Sequence, residues 1–295
     1  MKVLITGVSG FLGNYIFQCL NQLSEVWTLG RVGNSSIKCD LAECMPNIMM
    51  GFDLIIHSAG KAHLIPINEE GVRSFNKVNF EGTKNLCLGI EKSGQMPKRF
   101  VFISTVAVYG LETGENIGED AELLGTSPYA ISKIRAELFL KDWCKKHNIV
   151  LTILRLPLVV GPSAPGNFGS MLKAIKKGYY FRIGNGTARR SMVLASDLAE
   201  IISHASEIGG IYNLTDGKNP SFKELDSYLA GVFDKKIKVM PIYLATLLAK
   251  IGDFIPKFPF NYYKLSKMDS NLTFSCDLAK QKINWNPRPV IGNIF

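Results

Sequence analysis

The chain has 295 residues, 46% of them hydrophobic and 20% charged, with 27 glycines and 13 prolines. This excludes a disordered, collagenous or repeat-array protein and leaves length for one large domain or two coupled ones around a substantial core. The net charge of +9 is spread thinly rather than gathered into one run, so it favours small anionic ligands over a nucleic-acid partner.

Cys19, Cys39, Cys44, Cys87, Cys144 and Cys276 form no CxxC pair, and neither a zinc cluster nor a disulfide framework is expected; reduced thiols in the cytoplasm are. His57, His63, His147 and His204 are too dispersed for a metal site. The opening MKVLITGVSGFLG places three glycines in seven residues and has no small-residue cleavage pattern, which argues against a signal peptide. No stretch reaches the roughly 18 uninterrupted apolar residues of a membrane span, so no stable membrane insertion is expected.

In chain order, the strand KVLIT precedes a helix over 11 to 23, and EVWTL follows. DLIIH is succeeded by a helix over roughly 69 to 92, RFVFIST by a helix over 128 to 147, and IVLTILRL closes the series. Strand and helix in strict alternation predict an α/β fold, a doubly wound parallel sheet with helices on both faces. After Gly161 the chain becomes rich in turns, with Pro162, Pro165, Gly166 and Gly169, and again around GNGTARR; GIYNLTDG reads as a late strand returning to the first sheet. The predicted division is a dinucleotide-binding unit over 1–160 and 192–216, with a smaller, discontinuous C-terminal substrate domain over 161–191 and 217–295. The apolar run 242–258, interrupted by Lys250 and Asp253 and stopped by Pro256, reads as a buried or substrate-domain helix, with a membrane-surface contact as the other reading.

Gly7, Gly10 and Gly13 are spaced by three between a strand and a helix. Such a turn lets backbone approach a pyrophosphate, whose charge the free amides of the helix N-terminus favour. The second strand ends in Gly30 and Arg31 rather than in an acid. A guanidinium grips a 2′-phosphate that a carboxylate would repel, so NAD(P) is the expected cofactor with NADP(H) favoured; the alternative for Arg31 is a solvated loop residue. Asp40 either accepts from an adenine amino group or caps a turn. Ala59 and Gly60, after DLIIH, would let a cofactor pass close to the backbone.

Tyr129 and Lys133 in YAISK are four apart on a helix that Ser127-Pro128 starts well, so ammonium and phenol share one face. Bringing a phenol from about 10 to near 7 needs about 4 kcal/mol of selective phenolate stabilisation, which Lys133 and an oxidised nicotinamide could provide together. Ser104 and Thr105 end the strand RFVFI at the edge where open α/β sheets bind ligands.

The motifs TGVSGFLG (6–13), DL (40–41), HSAG (57–60), VNFEGTKNL (78–86), STVAVYG (104–110), YAISK (129–133), RLPLVVGP (155–162), RRSMVLASDLA (189–199) and NWNP (284–287) span most of the chain. Together they resemble the extended short-chain dehydrogenase/reductase superfamily, in particular its NAD-dependent epimerase/dehydratase family. The resemblance implies a Rossmann-type sheet, a nucleotide diphosphate sugar as substrate, and a homodimer. It implies Thr105, Tyr129 and Lys133 as catalytic residues. It further implies cofactor contacts from Gly7, Gly10, Phe11, Leu12, Gly13, Arg31, Asp40, Leu41, Ala59, Gly60, Asn79, Tyr129 and Lys133, and substrate contacts from Thr105, Asn167 and Arg190. For Asn167 and Arg190 surface roles are the alternative. Val106 and Ala107 stand where the family's dehydratases carry an acidic pair, which argues against elimination of water. The expected activity is hydride transfer at carbon 4 of the sugar, as a 4-epimerase or 4-ketoreductase involved in surface polysaccharides; a reductase of a hydrophobic ketone or alcohol and a non-catalytic dinucleotide sensor are the rivals.

Overall fold

A computed structural model describes residues 1–31, 33–62, 66, 68–254, 265 and 269–295. Strands β1 (Lys2–Thr6), β2 (Glu25–Gly30), β3 (Ile37–Lys38), β4 (Leu54–His57), β5 (Arg99–Thr105), β7 (Val150–Leu156) and β11 (Gly210–Asn213) form one sheet in the order β11-β7-β5-β4-β1-β2-β3. All neighbours in it are parallel. The strand order reverses between β1 and β4, which makes the carboxyl ends of these two strands the switch point of a Rossmann-type doubly wound fold. The late strand GIYN does return to this sheet, beside β7.

Alternation along β1 divides the core. Val3 and Ile5 face Ile16 and Leu20 of α1 (Phe11–Leu20) and Leu198 and Ile202 of α6 (Ala195–Ile208). Leu4 faces the opposite layer, where Leu86 and Ile90 of α3 (Gly82–Ser93) join Ala136 and Leu140 of α4 (Pro128–Lys146). Each fully buried aliphatic side chain contributes about 1.5–3 kcal/mol, so the sheet is held from both sides.

Two expected helices differ in extent. The first stops at Leu20, capped by Asn21. The stretch predicted as one helix over 69 to 92 is α2 (Glu69–Phe75), a π-helical turn over Asn76–Glu81, and α3. The wider turn carries Asn79, which is buried and bonded to groups outside the helix; a hydrophobic period of 3.6 cannot announce such an insertion.

Beyond the main sheet lie three two-stranded pairs: β8 (Leu158–Val160) with β10 (Met192–Leu194), β9 (Phe181–Ile183) with β12 (Lys238–Met240), and β6 (Gly114–Ile117) with β13 (Leu272–Phe274). A separate apolar cluster gathers Phe168, Leu172 and Ile175 of α5 (Gly166–Lys176), Leu225 and Leu229 of α7 (Phe222–Val232), and Val290 and Ile294. The remaining helices are α8 (Ile242–Phe254) and α9 (Asp277–Ile283). The apolar run 242–258 is thus helical to Phe254, and its last four residues, with His63, lie outside the described residues.

Candidate active site

The glycine turn leaves β1 with Gly7 at φ +78°, a left-handed conformation that glycine adopts without strain. A Cβ on Gly7 would stand 2.6 Å from the Ala59 nitrogen, and one on Gly13 would stand 2.1 Å from the Gly7 carbonyl oxygen. The turn from β1 and the segment after β4 therefore pack backbone on backbone, which only glycine permits. Gly10 caps α1, and no side chain bonds the helix's first amides. Together these features fit a dinucleotide, whose pyrophosphate the open helix N-terminus would hold. Phe11 packs edge-on against Tyr15, 5.2 Å between ring centres, and Leu12 against the β1 side of the core.

Behind this turn lies a chain of polar groups that the sequence did not announce. The Ala59 amide donates to Thr6 Oγ1 (3.1 Å), Thr6 Oγ1 meets His57 Nδ1 (2.7 Å), and His57 Nε2 meets Thr83 Oγ1 (3.0 Å). Because the Thr83 hydroxyl donates to the Asn79 carbonyl (2.7 Å), it can only accept from the ring. His57 is thereby assigned as the Nε2–H tautomer, accepting at Nδ1 from Thr6. Burial, aided by the Lys133 charge, lowers its pKa to about 3, so the ring stays neutral. Asn79 accepts from the Lys61 amide (2.6 Å) and donates to Ser132 Oγ (2.9 Å); its Oδ1 would lie 3.1 Å from a Cβ on Gly60. Asn79 thus ties the segment after β4 to the helix of Tyr129.

Arg31 and Asp40 also come together, Nη1 to Oδ2 at 3.9 Å, the arginine largely exposed and the aspartate half-buried. Asp40 Oδ1 accepts from the Ala42 amide (3.0 Å), the turn-capping geometry, while the Leu41 carbonyl accepts from Asn85 (2.7 Å). The thiols of Cys39 and Cys44 lie 3.1 Å apart beside this turn, a proximity that their spacing in the chain does not suggest.

Ser127 caps α4, its Oγ accepting from the Ala130 amide (3.1 Å). This fixes where the helix starts and so aims Tyr129 at the carboxyl end of β5. There Tyr129 stands beside Thr105; burial raises the phenol above the usual tyrosine range and the neighbouring Thr105 hydroxyl opposes it. Phe75 flanks the phenol ring at 6.1 Å between centres. One turn on, Lys133 is buried, donates to the Ile103 carbonyl (2.6 Å) and sits 3.9 Å from the centre of the Phe102 ring. Burial lowers its pKa to about 7, with the Glu137 carboxylate opposing. The ammonium is thus held by strand β5, a different placement from direct lysine support of the phenolate.

Glu137 extends the same helix face to a third turn, a residue that the Tyr/Lys spacing alone does not single out. It is fully buried, accepts from Ser104, and forms a two-pronged pair with Arg155, Nη2 to Oε2 at 2.8 Å. Arg155 also reaches Tyr109 Oη (3.1 Å), which donates to Asn213 Oδ1 (2.7 Å). A buried arginine with all these partners pins the ends of β5, β7 and β11 to α4.

Asn167 lies exposed in the first turn of α5. Arg190 bridges to Leu272, its amide donates to the Pro220 carbonyl (3.2 Å), and burial lowers its guanidinium pKa against the Glu112 charge. Among the described residues no group of three or more His, Cys, Asp or Glu could hold a metal ion.

The chain is 29% identical over 317 residues to a UDP-glucose 4-epimerase of Vibrio cholerae, covering all of this chain and 93% of the relative. It is 27% identical over 289 residues to the N-acetyl-alpha-D-glucosaminyl-diphospho-ditrans,octacis-undecaprenol 4-epimerase of Escherichia coli O157:H7, covering 90% and 83%. The fold matches that of a UDP-glucose 4-epimerase from Thermotoga maritima solved with UDP-glucose, with a TM-score of 0.76 at 20% identity over 98% and 94% of the two chains. The model of the NAD dependent epimerase/dehydratase family matches residues 3–215, and the chain belongs to that family.

Proposed function

We propose that the protein catalyses NAD(P)-dependent hydride transfer at carbon 4 of the hexose in a nucleotide diphosphate sugar, as a 4-epimerase or a 4-ketoreductase. The observation that carries this reading is the Thr105–Tyr129 hydroxyl pair at the carboxyl end of β5, beside the switch point of the sheet and backed by Lys133. The 4-epimerase relatives, one named for UDP-glucose and one for a sugar on undecaprenyl diphosphate, support a sugar diphosphate as the substrate class.

A bound nicotinamide cofactor would supply the hydride donor or acceptor. Gly7, Gly10, Phe11, Leu12 and Gly13 would hold its pyrophosphate, Ala59, Gly60 and Asn79 its central portion, and Asp40 and Leu41 the adenine side. Arg31 would grip a 2′-phosphate, which favours NADP(H). In the oxidative direction Tyr129 takes the proton of the sugar's 4-hydroxyl while Thr105 hydrogen-bonds the same oxygen; in the reductive direction Tyr129 returns it. Lys133, with a pKa near neutrality, supplies its positive charge when an anionic partner arrives. Asn167 and Arg190, in the proposed smaller domain, would contact the nucleotide diphosphate.

The test is turnover with nucleotide diphosphate sugars, together with fluorescence titration by NADPH and NADH. Tyr129→Phe is expected to lower turnover by about 10²–10⁴-fold with cofactor affinity retained, and Arg31→Ala to weaken NADPH more than NADH. Full turnover by Tyr129→Phe would overturn the proposal, and an equal effect of Arg31→Ala on both cofactors would remove the NADP(H) preference.

A further inference from the structure

Helix α8 is apolar on both sides. Ala245 and Ala249 are fully buried against Leu265, Ile183 and Met240. Opposite them Leu244, Leu247, Leu248 and Ile251, at i, i+3, i+4 and i+7, form a continuous stripe that faces solvent; Leu247 is 57% exposed and the neighbouring Tyr243 68%. A surface helix whose inner face is already packed normally turns polar residues outward, and a contiguous apolar stripe marks a contact surface.

The ribbon that meets the start of α8 is basic. Gly184 donates to the Met240 carbonyl and brings the β9–β12 ribbon against the start of α8 near Ile242. On that ribbon Lys238 sits over the exposed Phe181 ring at 5.7 Å, and Val239 is 56% exposed. At the end of the ribbon away from α8, Lys235 and Lys236 precede β12, with Asp234 as their acidic neighbour, and Lys176 lies over Phe233 at 4.7 Å, with Lys177 beside it. Arg182 is neutralised by Asp226, whereas the lysines project into solvent.

We propose that this face docks the protein peripherally on an anionic phospholipid bilayer, the α8 stripe entering the headgroup boundary and the lysines meeting lipid phosphates. A second copy of the chain fits less well, because the surplus of exposed lysines on the adjoining ribbon finds no complement in a like-charged copy. Among the described residues no helix is long and apolar enough to cross a membrane, so the contact is with the surface. Docking is independent of the reaction at Tyr129.

The experiment is flotation of the full chain with vesicles of phosphatidylglycerol and phosphatidylcholine, against phosphatidylcholine alone. The protein is expected to float with the anionic vesicles and to be released by salt. Leu247→Glu with Leu248→Glu is expected to lower association at least about tenfold, and Lys235→Glu with Lys236→Glu to weaken the salt-sensitive part, with NADPH titration of each variant reporting an intact fold. Failure of the parent to float with anionic vesicles, or flotation of the Leu247→Glu, Leu248→Glu variant equal to the parent's, would overturn the proposal. Light scattering that showed a dimer broken by those substitutions, with no vesicle binding by the parent, would assign the face to contact between copies instead.

Discussion

His57 reads from the sequence as one of four scattered histidines, and the structure makes it the link between the ends of β1 and β4 and helix α3. Its folded pKa of about 3, set by burial and then by the Lys133 charge, lies below the ordinary value of about 6.5. The unfolded chain therefore binds a proton near pH 6.5 that the folded chain refuses until about pH 3. Stability is unaffected by this group above that window and falls as pH drops through it, by up to about 1.4 kcal/mol per pH unit. Urea unfolding of the parent and of His57→Gln at pH 7 and pH 5 should show the gap between them narrowing at the lower pH; a constant gap would mean that the ring titrates normally. Residue types thus named the proposed reacting groups, Thr105, Tyr129 and Lys133, but not their supports. A histidine, a glutamate and an arginine look alike in sequence whether solvated or buried, and only the fold places Glu137 against Arg155 and Ser104.

At the scale of elements, boundary chemistry decides where side chains point. Ser127-Pro128 signals the start of α4, and the structure places the start there, with the Ser127 hydroxyl bonded to the Ala130 amide. Ser127→Ala should cost about 1 kcal/mol, read as a lower urea midpoint, and should impair turnover more than NADPH binding, because Tyr129 lies in the first helical turn. A midpoint unchanged within error would mean that packing alone sets the start. The π-helical turn over Asn76–Glu81 is the counterexample. Its cause is tertiary, since Asn79 serves Lys61 and Ser132 on other elements, and no local pattern encodes those partners.

Across the whole molecule, the C-terminal segment closes the structure back onto the main sheet. Trp285 of the NWNP motif is buried and its indole N–H donates to the Thr215 carbonyl (2.8 Å), while Arg288 Nε bonds Asp197 on α6 (2.7 Å). Trp285→Ala leaves both a cavity and an unpaired carbonyl, and should cost about 3–5 kcal/mol, measured by chemical denaturation with cofactor titration as the check on folding. A loss below 1 kcal/mol, the net worth of about one hydrogen bond, would show that the segment packs without it. By itself the sequence determined the parallel α/β sheet, the glycine turn and the Thr/Tyr/Lys set, because strand and helix periods, the steric demands of glycine and helical spacing are local properties of the chain. Only the tertiary structure decided the neutral state of His57, the Glu137–Arg155 pair, the meeting of Arg31 with Asp40 and the outward apolar stripe of α8. Each of those depends on burial and on partners far along the chain, which proximity in space alone supplies.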